Sequence, residues 1–458
     1  MIADLKPYAD YKDSGLPWLG QVPAHWGLVP NRGLIRKRKV LVGKRHGEYR
    51  LLSLTKQGVI VRDTSTGKGK FSSDMGTSQE VRNGDLVFCL FDVPETPRTV
   101  GLSKHHGMIT GAYTVFESKG SGSSAYFELF YRAMDERKLL SPLYPGLRNT
   151  IQTERFLGTK TPQPPDCDQV AIVRFLNWAS ERIEQTIRAK RKVISLLTEQ
   201  KHAIINRAVT RGLDHAVALK PSGVLWLGSV PLHWEVLRSK YVYKEVDRRS
   251  ATGEETHLSM SQKLGLIPSS QIEVRRLVAE SHVGAKLCEK EDLILNRLKA
   301  HLGVFALARE SGLVSPDYTV LRPARKLDGR YFEAVYRTPA CRVELRKRAK
   351  GIVQGFWRLY TDDFYDIYVP VPPADEQACI MTQLDIELSG VNTAVARLER
   401  EIELLREYLT RLVFDVVTGA LDVREVLLRL PENIAANVTD DGVGGNDDAE
   451  LTDEEAEA

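Results

Sequence analysis

Apolar positions recur along residues 168–209 at Ile172, Leu176, Ile183, Ile187, Ile194, Leu197, Ile204 and Ala208. Steps of four, seven and three keep such a stripe on one side of a helix, and the seven-residue sum marks a coiled-coil seam. Adding 208 to each number gives Ile380, Leu384, Val391, Val395, Ile402, Leu405, Leu412 and Val416, again all apolar. Leu398 and Leu409 fill the remaining places in the second seam, where the first has Lys190 and Lys201. Polar residues in a seam commonly fix register at some cost in stability, but a Lys at such a place is rather expected to lay its stem along the seam and release its ammonium to water. Each helix would run about 42 residues, roughly 60 Å at 1.5 Å per residue, several times the usual globular length. Elsewhere the pattern changes to short β-type runs broken by Gly, Pro and Asn: Tyr49–Leu54, Asp85–Phe91 and Ala112–Phe116, then Leu293–Leu295 and Tyr318–Leu321. Helical segments are predicted over 124–140 and 329–347, and Pro164-Pro165 and Pro372-Pro373 stop a strand and start each long helix.

The 208-residue offset reaches beyond the helices. Residues 12–26 read KDSGLPWLGQVPAHW and residues 220–234 read KPSGVLWLGSVPLHW, a strap that precedes each set of strands. The helices end in VTRGLD (209–214) and VTGALD (417–422). A repeat this long is domain duplication rather than a solenoid, so a pseudo-twofold molecule is expected, with two similar mixed α/β domains held apart by the helices. The expected division is 1–167 and 214–375 for the domains, 168–213 and 376–422 for the helices, and 423–458 for a tail.

Charge sharpens this picture. Ten acids and no Lys or Arg follow Arg429, so the net +4 of the chain becomes +14 for residues 1–429. A basic body points to a polyanionic partner, and the acidic tail reads as disordered. Five scattered cysteines without a C-x-x-C pair read as reduced packing residues. No run approaches the 18 apolar residues of a membrane span. The N-terminus lacks a signal peptide's basic start and apolar core, so a cytoplasmic location is expected.

Tandem variable domains, each introduced by S-G-x-x-W-L-G-x-V-P-x-H-W (Ser14–Trp26, Ser222–Trp234), resemble one family. Each is followed by P-P-x-x-x-Q (Pro164–Gln169, Pro372–Gln377) and a long heptad helix. The chain is similar to the specificity subunit of type I restriction–modification systems over residues 10–422. The resemblance implies an α+β fold: two target-recognition domains separated by two long helices packed as an antiparallel coiled coil. It implies double-stranded DNA as ligand, each domain reading one half of a split sequence while the helices set the gap. It also implies two methyltransferase subunits, which hold S-adenosylmethionine, and translocating restriction subunits, which hold ATP and Mg. The chain itself would carry no catalytic residue, metal or cofactor; the acidic extension departs from the family pattern.

Arg meets guanine edges bidentately, Asn and Gln meet adenine, and Lys mostly meets phosphate. In the first domain the DNA-binding candidates are Arg98, Lys104, Arg148, Asn149 and Gln152. In the second they are Asn296, Arg297, Lys299, Arg346, Lys347, Arg348, Lys350, Gln354 and Arg358. For any one of them an ordinary solvated surface position is the competing reading. Trp18, Trp26, Trp226 and Trp234, with His25 and His233, belong to the shared strap, whereas readers of different half-sites should differ; packing residues are expected there. Gly67-Lys68-Gly69-Lys70 lacks the spacing of a phosphate-binding loop, and His105-His106 lacks a second pair of ligands at metal spacing. The rival functions are a coiled-coil scaffold that never touches DNA and a nuclease with an unrecognised active site.

Overall fold

Leu86–Phe88 is a strand buried on both faces, which is why its sequence is apolar without alternation. In the computed structural model, which describes residues 5–62, 75–120, 123–144, 149–261, 264–271, 282–353 and 356–430, Leu86 and Phe88 enter the main core. Val87, pointing the other way, joins a smaller cluster with Leu52, Val59, Ile109 and Val115. The strand lies between Thr114–Ser118 and Val100–Leu102, with Ile35–Arg38 beyond Thr114–Ser118, in an antiparallel sheet of four. Leu293–Asn296 repeats the arrangement: Leu293 and Leu295 face one cluster and Ile294 another. It lies between Tyr318–Pro323 and Phe305–Leu307, with Tyr243–Val246 outside.

These sheets belong to two compact units, one comprising the chain up to Lys190 and the stretch from Arg400, the other Arg191–Glu399. Their boundary therefore falls inside both long helices, Asp166–Arg211 and Ala374–Val417. The helix over the first sheet is Ser124–Glu136. The single second-unit helix expected over 329–347 is two, Gly329–Arg337 and Pro339–Arg348. Pro339 has no N–H and disfavours helical backbone at Thr338. Thr338 instead ends one helix and caps the next, its hydroxyl accepting from the Cys341 N–H at 3.3 Å.

Every seam position named from the sequence is buried or half-buried. In the first unit, Ile172, Leu176, Ile183 and Ile187 are buried, as are Ile402 and Leu412. In place of water alone, the Lys190 ammonium has a partner, reaching Glu401 at 2.5 Å. In the second unit, Lys201 donates to Asn392 Oδ1 at 2.7 Å. The seam cations thus bind acceptors on the other long helix, where a register-fixing role outweighs release to solvent.

The glutamine of P-P-x-x-x-Q has a visible task. Gln169 Oε1 accepts from the Ser123 N–H at 2.7 Å while its Nε2 donates to the Pro164 carbonyl at 2.8 Å. Gln377 does the same with the Asp328 N–H (2.9 Å) and the Pro372 carbonyl (2.8 Å). Each side chain ties the start of a long helix to the N-cap of the helix over its sheet. Gln377→Ala should lower the stability of the second unit by about 1–3 kcal/mol, because partly buried backbone groups lose their partners. Urea unfolding followed by a probe in that unit measures this, and an unchanged midpoint would show water replacing the amide at no cost.

The strap tryptophans pack as expected. Trp26 and Trp234 are fully buried. Trp26 lies against Gly419 at the end of one long helix, and Trp234 against Gly212 at the end of the other; both glycines are left-handed, φ +81° and +74°. A Cβ at Gly419 would meet Pro23 at 2.4 Å, so glycine is required there for space as well as for conformation. His25 pairs with Asp168 at 3.0 Å and His233 with Glu376 at 2.8 Å, fastening each strap to the first turn of a long helix.

The tail starts later than its acid content indicates. Val423, Val426 and Leu430 are buried in the first unit around a short helix, Arg424–Leu427, and the Asp422 N–H donates to the Lys6 carbonyl at 2.7 Å. Their three- and four-residue spacing is a helical stripe that the charge count obscures. Residues 431–458 lie outside the described residues.

Candidate nucleic-acid interface

In the second unit the chain leaves strand Leu293–Asn296 into a turn held by Asn296, whose buried Oδ1 accepts from the N–H groups of Leu298 (3.1 Å) and Lys299 (3.2 Å). Asn296 is thereby occupied as a turn former. Arg297 is pinned too: Nε donates to the Asp317 carbonyl at 2.8 Å and Nη2 to that of Pro316 at 3.2 Å. Its own carbonyl accepts from the Leu359 N–H at 3.0 Å, which docks the hairpin Lys350–Val353/Phe356–Arg358 onto this turn. Asn296 and Arg297 therefore support the surface rather than present it. Lys299 is half-buried beside them.

The hairpin and the end of helix Pro339–Arg348 supply the exposed cations. Arg346 and Lys347 are open to solvent, and Arg348 is half-buried. Lys347 (2.8 Å) and Arg348 (2.6 Å) both hold Glu344, and the hydrogen bond from Lys347 and burial, acting in opposite directions, leave its carboxyl below the usual carboxylate range. Lys350 pairs with Asp363 at 2.8 Å. Arg358 reaches Asp317 at 3.4 Å, while its buried Nε has no hydrogen-bond partner among the described residues. Trp357, 39% exposed, is the cross-strand neighbour of Gly351, and a Cβ on Gly351 would touch its ring at 3.7 Å. Cε3 and Cζ3 of the indole thus lie beside a residue without a side chain. Tyr360, 41% exposed, stands where the next short helix begins, with Lys350 Nζ 5.6 Å and the Arg358 guanidinium 5.9 Å from its ring centre. Gln354 lies outside the described residues.

The first unit makes the corresponding backbone bond: the Ile151 N–H donates to the Leu90 carbonyl at 2.7 Å. Asn149 sits two residues earlier with φ +48°, its carbonyl accepting from the Val93 N–H at 3.2 Å. Gln152 is exposed at the start of helix Thr153–Gly158 and makes no side-chain cap bond. Lys104 is exposed on the loop between strands Val100–Leu102 and Gly107–Ile109. Arg98 is half-buried; burial and the nearby Arg132 lower its pKa, while Glu128, Glu136 and Asp135 oppose that shift. It reads as part of an internal charge group. Arg148 lies outside the described residues.

Trp357 and Tyr360 stand outside the candidates read from the sequence, which are hydrogen-bonding side chains. The offset of 208 already contains the signal, placing Trp357 opposite Asn149 and Tyr360 opposite Gln152.

No protein-family model and no curated protein matches the chain. Among solved structures, it is similar to a chain from work on complex assembly and conformational transition of the type I R-M system, at 15% identity and TM-score 0.61, covering 87% of this chain and 99% of that one. It also aligns with the HsdS subunit from Thermoanaerobacter tengcongensis (15% identity, TM-score 0.42, 88% and 97% covered). A third alignment is with the type I restriction-modification system S subunit from M. genitalium (12%, TM-score 0.33, 86% and 96%). The first of these carries the fold: a mixed α/β chain with two long helices, in line with the resemblance read from the sequence.

Proposed function

We propose that this chain is the DNA sequence-specificity subunit of a type I restriction–modification complex and acts by positioning, without chemistry of its own. The observation that carries the reading is one architecture built twice from different surface residues. Sheet order, the glutamine tie, the strap against a helix-end glycine and the Ile151/Leu359 backbone bond recur in both units, while Asn149 and Gln152 give way to Trp357 and Tyr360. Internal duplication followed by divergence of the reading surface produces that outcome. Residues 1–167 would read one half-site and 214–375 the other, giving an asymmetric bipartite site. Seam burial and the pairs Lys190–Glu401 and Lys201–Asn392 support helices packed antiparallel as a spacer that fixes the gap.

Outward residues of the long helices, among them the exposed Val193, Leu196, Ile386 and Leu404, would meet two methyltransferase subunits holding S-adenosylmethionine. Restriction subunits holding ATP and Mg would join that assembly. Methylation mapping of a host genome with and without the gene tests the reading. A bipartite methylated motif that disappears with the gene is expected. Binding of the assembled complex to that motif should weaken steeply with salt, as phosphate contacts release counterions. Methylation unaltered by loss of the gene would refute the proposal, and binding indifferent to salt and sequence would favour a scaffold.

A further inference from the structure

We infer that the second unit recognises thymine through its 5-methyl group, using the exposed indole of Trp357 together with the exposed ring of Tyr360; this rests on the specificity-subunit reading. The matching bonds Ile151 N–H to Leu90 and Leu359 N–H to Arg297 fix the correspondence between the units. At that correspondence the first unit offers two amides, Asn149 half-buried and Gln152 exposed, and the second two aromatics, both more than a third exposed. Amides suit adenine, whose major-groove edge offers a donor and an acceptor. Aromatic rings make no such pair, and the apolar feature that a duplex shows in its major groove is the thymine methyl.

The immediate setting supports a preformed apolar contact on DNA. The hairpin pairing sets Trp357 across from Gly351, with Cε3 and Cζ3 of the indole beside the bare glycine, so the ring has a place on the hairpin before any ligand arrives. Lys350 and Arg358 stand within 6 Å of the Tyr360 ring centre, at 5.6 and 5.9 Å, and Arg346 and Lys347 are exposed on the adjacent helix end. A ring with cations around it fits a groove edge bordered by phosphates. Stacking on a base face is the other use of an exposed indole. In an intact duplex it requires unstacking a base step, a penalty of a few kcal/mol, whereas the methyl group is reached without distortion.

The test uses the complex assembled with its methyltransferase subunits and duplexes carrying the mapped motif, in which each thymine is replaced singly by deoxyuridine. Removing the contacted methyl should weaken binding about four- to tenfold at one or two thymines of the second half-site. Trp357→Ala should weaken binding to the unmodified duplex by a similar factor and erase the difference between thymine and deoxyuridine there. Trp357→Phe should keep part of that difference, and Tyr360→Ala should reduce it. Recognition of the first half-site should be untouched in all three variants, which also reports that they are folded. A second half-site without thymine, or one indifferent to deoxyuridine, overturns the inference. So does a methyl effect that persists in Trp357→Ala. These results would leave the specificity-subunit reading standing, whereas a complex that prefers no duplex at all sinks both.

Discussion

Adding one heptad to each long helix, after Ile194 and after Ala396, should lengthen the gap of the methylated motif and leave both half-sites unaltered. Lys190 faces Glu401 and Lys201 faces Asn392, so the two insertion points lie opposite each other between those pairs. A full heptad restores the seam on either side of the insertion, since seven residues fall only about 20° short of two helical turns. The added length is about 10 Å, the rise of roughly three base pairs. Twist opposes the full shift, because three base pairs in a repeat of about ten turn the second half-site by roughly 100° around the DNA axis. The expected gap is therefore longer by one to three base pairs, with translation setting the upper bound and twist the lower. A heptad in one helix alone would throw the Lys201–Asn392 contact out of register and should cost stability without giving a clean new gap. Methylation mapping reads the result, and an unchanged gap in a well-folded paired variant would remove the spacer from the account.

The long helices were legible because periodicity is a local property: Ile172 to Ala208 and Ile380 to Val416 announce a buried stripe whatever packs on it. The strap tryptophans were legible for a related reason, since residues held in common by two readers of different sequences belong to the scaffold. Other features depended on contacts distant in sequence. Nothing local marks Asn296 as a turn former or Arg297 as pinned to the carbonyls of Pro316 and Asp317. The break at Thr338-Pro339 is written in the sequence, since proline lacks the N–H and disfavours helical backbone before it. Lys190 and Lys201 find acceptors only because particular residues of the other helix stand opposite. The buried acid of each sheet shows how far compensation moves: Asp85 takes its guanidinium from Arg38 on the outer strand, Asp292 from Arg322 on the neighbouring one. Two aligned sequences of this length cannot show such a swap until the strands are set side by side.

Replacing residues 27–163 with residues 235–371 of the same chain should convert an asymmetric motif into a palindromic one. The graft closes geometrically because each module begins and ends on paired strands: Gly27 stands opposite Gln163, and Glu235 opposite Val371. Outside it remain Trp26 on its helix-end glycine and Gln169 at the start of the long helix, both of which the incoming module already meets as Trp234 and Gln377 in its own unit. The deepest crossing contact is also matched. Tyr126 donates to the Val417 carbonyl at 3.0 Å and Tyr331 to that of Val209 at 2.7 Å, so the transplanted Tyr331 finds the end of a long helix at the same place. Asp328 replaces Ser123 as the residue whose N–H meets the glutamine, a backbone bond indifferent to the exchange. Under the pseudo-twofold arrangement expected from the duplication, the second half-site should appear twice, inverted, across the original gap. The first half-site should vanish, and methylation mapping would show it directly. A direct repeat would mean head-to-tail modules, and survival of the first half-site would mean that recognition lies in the helices and straps rather than in the exchanged segment.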